Sequence, residues 1–140
     1  MQAASLVRAC AGGIRGAERS SLLVMGEARP LSVNEQALVD ALLAPDFPGV
    51  EPLRQQAMAL LAQPGCRCGC GTIDLLPQGD VPRSTTRSPV PSEGRLRSVT
   101  GDGIGGLLLF LEHGLLTSLE VYSYAEPLPL PLLEQVQFTG

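Results

Sequence analysis

Apolar and polar positions alternate most clearly between Gly105 and Tyr124, where two apolar, β-forming runs flank His113-Gly114. That pattern predicts a β-hairpin, because a two-residue loop needs positive φ at its centre. Gly114 adopts such a conformation freely, and His tolerates it better than most residues. Side chains alternate sides along a strand. The second strand therefore predicts one apolar face of Leu115, Thr117, Leu119, Val121 and Ser123. Its other face, Leu116, Ser118, Glu120, Tyr122 and Tyr124, is predicted to be partly wet. Leu107–Glu112 is apolar on both sides, which places it inside a sheet rather than at an edge.

Upstream the period changes. Ser32-Val33-Asn34-Glu35 has the capping-box form, and Leu38, Ala41 and Leu42 recur at helical spacing. A helix is predicted from about Val33 to Ala44, stopped by Pro45. Asp46-Phe47-Pro48-Gly49 reads as a turn whose Phe47 plugs the core between helices. A second helix is predicted from Val50 to Ala62, with Leu53, Ala57, Leu60 and Leu61 as its apolar face and Gln63-Pro64-Gly65 as its end. From Thr72 to Leu76 the chain alternates as a strand. Ile73 and Leu75 fall on one side, with Gly69 and Gly71 leaving room for a helix there. Cys66, Cys68, Cys70, Thr72 and Asp74 fall on the other. Pro77–Pro91 reads as a loop, Val90–Thr100 as holding a further strand, and Asp102-Gly103 as the turn into the hairpin. The alternate prolines after Glu126 exclude helix and central strand, so this segment is expected to strap its leucines over the fold. The expectation is an α+β domain over residues 31–140. Two N-terminal helices pack on an antiparallel sheet of about four strands, closed by the proline-rich strap. Met1–Arg29, rich in Ala, Gly, Ser and Arg, reads as a weakly ordered leader, with Met25 as an alternative start. Arg8, Arg15, Glu18 and Arg19 interrupt any signal-peptide core there.

Three of these segments resemble an uncharacterised family of small bacterial proteins. They are Asp46-Phe47-Pro48-Gly49, the stretch from Cys68-Gly69-Cys70 to Thr72-Ile73-Asp74-Leu75, and Gly106–Tyr124 with its Leu-Glu-Val-Tyr-Ser-Tyr ending. The resemblance runs roughly from Leu31 to Pro131. Its members follow Cys-Gly-Cys with a proline and a serine, where this chain has Gly71-Thr72. It implies one compact α+β domain with Met1–Arg29 as an addition, and it carries no activity.

Composition narrows the class. A hydrophobic fraction of 44% against 17% charged residues describes a chain able to form a core rather than a disordered one. All ten basic residues are Arg, a bias associated with GC-rich bacterial coding. The net charge of −4 disfavours nucleic acid as a partner. No apolar run approaches the ~20 residues of a membrane span, and a cytoplasmic location is expected.

The cysteines are the sharpest chemical feature. Cys66, Cys68 and Cys70 at alternate positions would put thiols on one side of a strand, with Cys10 or His113 completing four zinc ligands. The spacing lacks paired Cys-x-x-Cys, and the resembling family carries only Cys68 and Cys70, so structural cysteines are the simpler reading and zinc the alternative. No other cofactor is expected. His113, the only histidine, is assigned to the turn and not to catalysis. Arg83, Arg87, Arg95 and Arg97 form a basic segment read first as a solvated loop. The functional expectation is a non-enzymatic protein-binding or accessory protein, inhibitor- or immunity-like. Its binding face holds Cys68, Cys70, Thr72, Asp74, Glu120, Tyr122 and Tyr124, and its partner is another protein. The alternative is a Cys-based zinc-stabilised domain or, behind it, a thiol enzyme.

Overall fold

A computed structural model describes residues 28–65 and 71–139. The expectations placed on the leader up to Glu27, and on Cys10, Cys66, Cys68 and Cys70, lie outside the described residues.

The first described element starts a little earlier than the sequence predicts. Strand β1 (Arg29–Pro30) pairs with Leu61 and Ala62. Helix α1 (Val33–Leu42) follows. Its start is the predicted capping box: the Ser32 hydroxyl accepts the Glu35 N–H at 3.1 Å, and Glu35 Oε1 accepts the Ser32 N–H at 2.8 Å. Just past its end, Arg54 donates to the carbonyls of Leu43 and Ala44 at 2.8 and 2.9 Å, groups that a helix end leaves without partners. Helix α2 (Val50–Gln56) supplies that arginine.

Here the chain departs from the expected second helix. After a 3₁₀ turn (Ala57–Ala59) it becomes strand β2 (Leu60–Pro64). Leu60 and Ala62 are buried while Leu61 and Gln63 between them are half-buried, a period of two. The helical spacing of Leu53, Ala57, Leu60 and Leu61 arises from two elements laid end to end.

Strands β3 (Ile73–Pro77), β4 (Glu93–Arg97), β5 (Gly103–Glu112), β6 (Leu115–Ser123) and β7 (Val136–Thr139) complete the architecture. The result is a seven-stranded sheet, not one of about four strands, in the order β1-β2-β3-β6-β5-β4-β7 with every pair antiparallel. The fold class is α+β as expected. Leu38, Leu42 and Leu53 of the helices share one core with Ile73, Leu75, Leu107, Leu109, Leu119 and Val121 of the sheet. The proline-rich segment packs Leu128 and Leu130 against this core as a strap. Gly71 lies under it and donates to the Leu128 carbonyl at 2.8 Å. A Cβ on Gly71 would fall 2.0 Å from the Leu130 nitrogen, so the missing side chain makes room for the strap rather than for a helix. Among the described residues no helix is long and apolar enough to cross a membrane.

The hairpin turns at His113 (φ 54°) and Gly114 (φ 78°), as the sequence predicts. Its register then breaks that prediction. Leu111 pairs with Leu116 and Phe110 with Ser118, so Thr117 is an extra residue in β6. Its hydroxyl donates to the Phe110 carbonyl at 3.2 Å. The bulge inverts the alternation. Leu116, expected on the wet face, is fully buried with Leu119 and Val121, while Leu115 sits opposite Glu112 outside the core.

Candidate open sheet face

Cross-strand partners in an antiparallel pair project to the same side of a sheet. The register therefore defines the face opposite the core. One row runs Gln63, Asp74, Ser118, Phe110, since Gln63 pairs with Asp74, Asp74 with Ser118 and Ser118 with Phe110. Glu120 lies beside it, paired with Leu108. A second row runs Tyr122, Gly106, Arg95, Gln137. Leu61 and Leu76, paired with each other, flank the first row. Leu61, Leu76, Leu108 and Phe110 are half-buried, yet they stand apart from the core cluster and from the side chains packed on it.

Tyr122 is the best-built part of this face. It pairs with Gly106, and a Cβ on Gly106 would come within 2.6 Å of the Tyr122 hydroxyl. The ring therefore lies over bare backbone, filling the space that a glycine leaves in a sheet. Its hydroxyl donates to Glu93 Oε2 at 3.5 Å, and Arg95 Nε approaches the same carboxylate at 3.7 Å. Tyr124 meets Tyr122 edge to face, ring centroids 5.8 Å apart at 64°. Burial pushes the Tyr122 phenol well above its ordinary pKa, aided by the hydrogen bond with Tyr124 and the charge of Glu93. Tyr122 thus stays protonated across the physiological range, a hydrogen-bonding group and not a base. Glu120 Oε2 accepts the Ser118 hydroxyl at 3.1 Å. The face carries the carboxylates of Asp74 and Glu120 toward its centre, on β3 and β6, and Glu93, Arg95 and Arg97 on β4 beside β7.

Of the residues expected on the binding face, Asp74, Glu120, Tyr122 and Tyr124 come together. Thr72 does not. It is buried, and its hydroxyl accepts the Val121 N–H at 3.0 Å, an internal tie between β6 and the entry to β3. Cys68 and Cys70 lie outside the described residues. The basic segment does not form one site. Arg83 donates to the His113 carbonyl at 2.7 Å at the hairpin tip, and Arg87 is exposed in the loop. Arg95 and Arg97 belong to β4 rather than a loop; Arg97 donates to Gln137 Oε1 at 2.9 Å. The His113 ring is at the exposed turn. Among the described residues no three His, Cys, Asp or Glu side chains are grouped to hold a metal ion.

Leu61, Leu76, Leu108, Phe110, Glu93 and Arg95 belong to the face although sequence reasoning did not assign them to it. One signal pointed there: Leu107–Leu111 is apolar on both sides, so its outward residues, Leu108 and Phe110, needed some cover. Comparison with protein-family models, with curated proteins and with solved structures gives no match for this chain.

Proposed function

We propose that this chain is a small non-enzymatic protein-binding or accessory protein, inhibitor- or immunity-like, that docks another protein on its open sheet face. The observation that carries this reading is the set Leu61, Leu76, Leu108 and Phe110, on the side of the sheet away from the core, with the paired rings of Tyr122 and Tyr124 farther along β6 on the same side. Aromatic and aliphatic anchors among polar groups are the composition of protein interfaces. The carboxylates of Asp74, Glu120 and Glu93 favour a partner with basic side chains around an apolar centre.

The test is cross-linking mass spectrometry with the purified chain in lysate of its host. Tyr124 is 68% exposed, so Tyr124→Ala leaves the fold intact. It is expected to reduce capture of the specific partner about tenfold, as loss of an aromatic anchor does. Arg87→Ala, in the loop, serves as the control. Undiminished capture by Tyr124→Ala, or loss with Arg87→Ala alone, would refute the open face as the docking surface.

A further inference from the structure

The two edges of the sheet differ. β1 is two residues long, Pro30 offers no N–H, and Arg29 is clasped by both Glu35 oxygens at 2.7 and 2.8 Å. A short edge with proline and a charge resists further pairing. β7 has none of these devices. Val136-Gln137-Phe138-Thr139 is uncharged, proline-free and rich in β-branched and aromatic residues. Among the described residues nothing pairs with its outer side. It is also held firmly in place. All four of its residues are in register with β4, and Asn34 grips the preceding turn by donating to the Pro131 carbonyl and accepting from the Leu133 N–H, both at 2.9 Å.

We propose that β7 pairs antiparallel with β7 of a second copy of this chain, about a two-fold axis through Gln137, joining two sheets into one. Symmetry restricts the register. A two-fold axis normal to a sheet preserves its faces, so each residue must oppose one on its own side of the strand. With Gln137 on the axis, Val136 opposes Phe138 of the second copy and Phe138 opposes its Val136. This is a β-branched–aromatic pair of the kind that stabilises sheets. Both side chains already pack on the core edge, so the pairing continues the apolar side across the axis. Moving the axis to Val136 would set Glu134 against Phe138; moving it to Phe138 would leave Val136 without an apolar partner.

Charge weakens this pairing without forbidding it. Neutral Gln137 faces its own counterpart. Arg95, in register with Gln137, faces its counterpart only across three strand spacings, about 14 Å, beyond the screening length of about 8 Å in physiological salt. Arg97, which donates to Gln137 Oε1 at 2.9 Å, brings one positive charge per copy nearer the axis, at the exposed surface where salt screens it. The buried area is small. Two four-residue strands cover on the order of several hundred Å², below the roughly 1,600 Å² of a standard interface, so association is weak and depends on concentration.

Sedimentation equilibrium up to near-millimolar protein tests this with Gln137→Glu and Gln137→Lys. The site is exposed, and Arg97 still has a hydrogen-bond partner in the Glu variant. The native chain is expected to dimerise reversibly. Gln137→Lys is expected to dimerise about fivefold more weakly, because it adds a positive charge beside Arg97 on both sides of the axis, whereas Gln137→Glu, neutralised by Arg97, is expected to change affinity by less than that. An equimolar mixture of the two recovers native affinity or exceeds it. A native chain that stays monomeric overturns the proposal. So does a dimer indifferent to Gln137→Lys, or a mixture whose mixed dimer is no tighter than that of Gln137→Lys alone. A dimer lost on Tyr124→Ala but kept in both Gln137 variants would place the contact on the open face and equally overturn the β7 pairing.

Discussion

Gln56 has no exposed surface, yet all its polar atoms are used. Nε2 donates to the carbonyls of Pro82 and Gly114 at 2.8 and 2.9 Å, and Oε1 accepts the Leu116 N–H at 2.9 Å. One side chain at the end of α2 thus ties the long loop and the hairpin turn to the helix. Its value is asymmetric, because a buried group that loses its partner costs more than the bond itself contributed. Gln56→Leu fills similar volume but takes the partner from the Pro82 carbonyl and the Leu116 N–H, while the Gly114 carbonyl keeps the Ser84 N–H at 2.9 Å. It is expected to lower stability by about 3 kcal/mol in urea denaturation. A loss under about 1 kcal/mol would mean that water reaches those groups and the clamp is not closed.

At the scale of elements, the hairpin turn shows how local chemistry fixes a bend. His113 occupies a left-handed conformation at φ 54°, where asparagine is the favoured partner of a following glycine. Its contribution to the fold is a backbone one, the carbonyl that accepts Arg83. His113→Asn is therefore expected to hold or raise stability by a few tenths of a kcal/mol, while His113→Val costs about 1–2 kcal/mol. Thermal unfolding of the two variants reads this directly, and equal melting points would contradict the turn. The next feature of the same hairpin, the Thr117 bulge, has the larger effect. It rotates Leu116 into the core and leaves Asp74, Glu120 and Tyr122 on the open side.

For the whole molecule, the sheet edge at β1 is joined to α1 through Glu35. The Arg29 guanidinium, helped by the Ser32 cap, holds the Glu35 carboxyl below its usual range against an opposing effect of burial. A carboxyl whose pKa is lowered by folding stabilises the fold above its unfolded pKa of about 4.3 and loses that contribution as pH falls through the folded value. Glu35→Gln keeps the shape and removes the charge. It is expected to cost about 1–2 kcal/mol near neutral pH, with the difference from the native chain shrinking toward about pH 3. Denaturation curves at both pH values check this. A cost independent of pH would show that the ion pair does not contribute.

What the sequence determined by itself is what neighbours in the chain can settle. The Ser32–Glu35 box, the stop at Pro45, the His113-Gly114 bend and the strap of alternate prolines each depend on a few adjacent residues, and each is present. The joint presence of Asp74, Glu120 and the two tyrosines on one face was also legible, through period-two alternation in β3 and in β6 beyond the bulge. Only the tertiary structure decided the rest. Leu60–Pro64 is a strand because β3 offers backbone partners on one side and β1 on the other, which outweighs a helical spacing of leucines. Thr72 is buried because Val121 lies within reach of its hydroxyl, and Arg95 and Arg97, inside a stretch expected to hold a strand, part from Arg83 and Arg87 because β5 and β7 pair with that strand. Register and strand pairing join residues far apart in the chain, and no local pattern encodes which edge meets which.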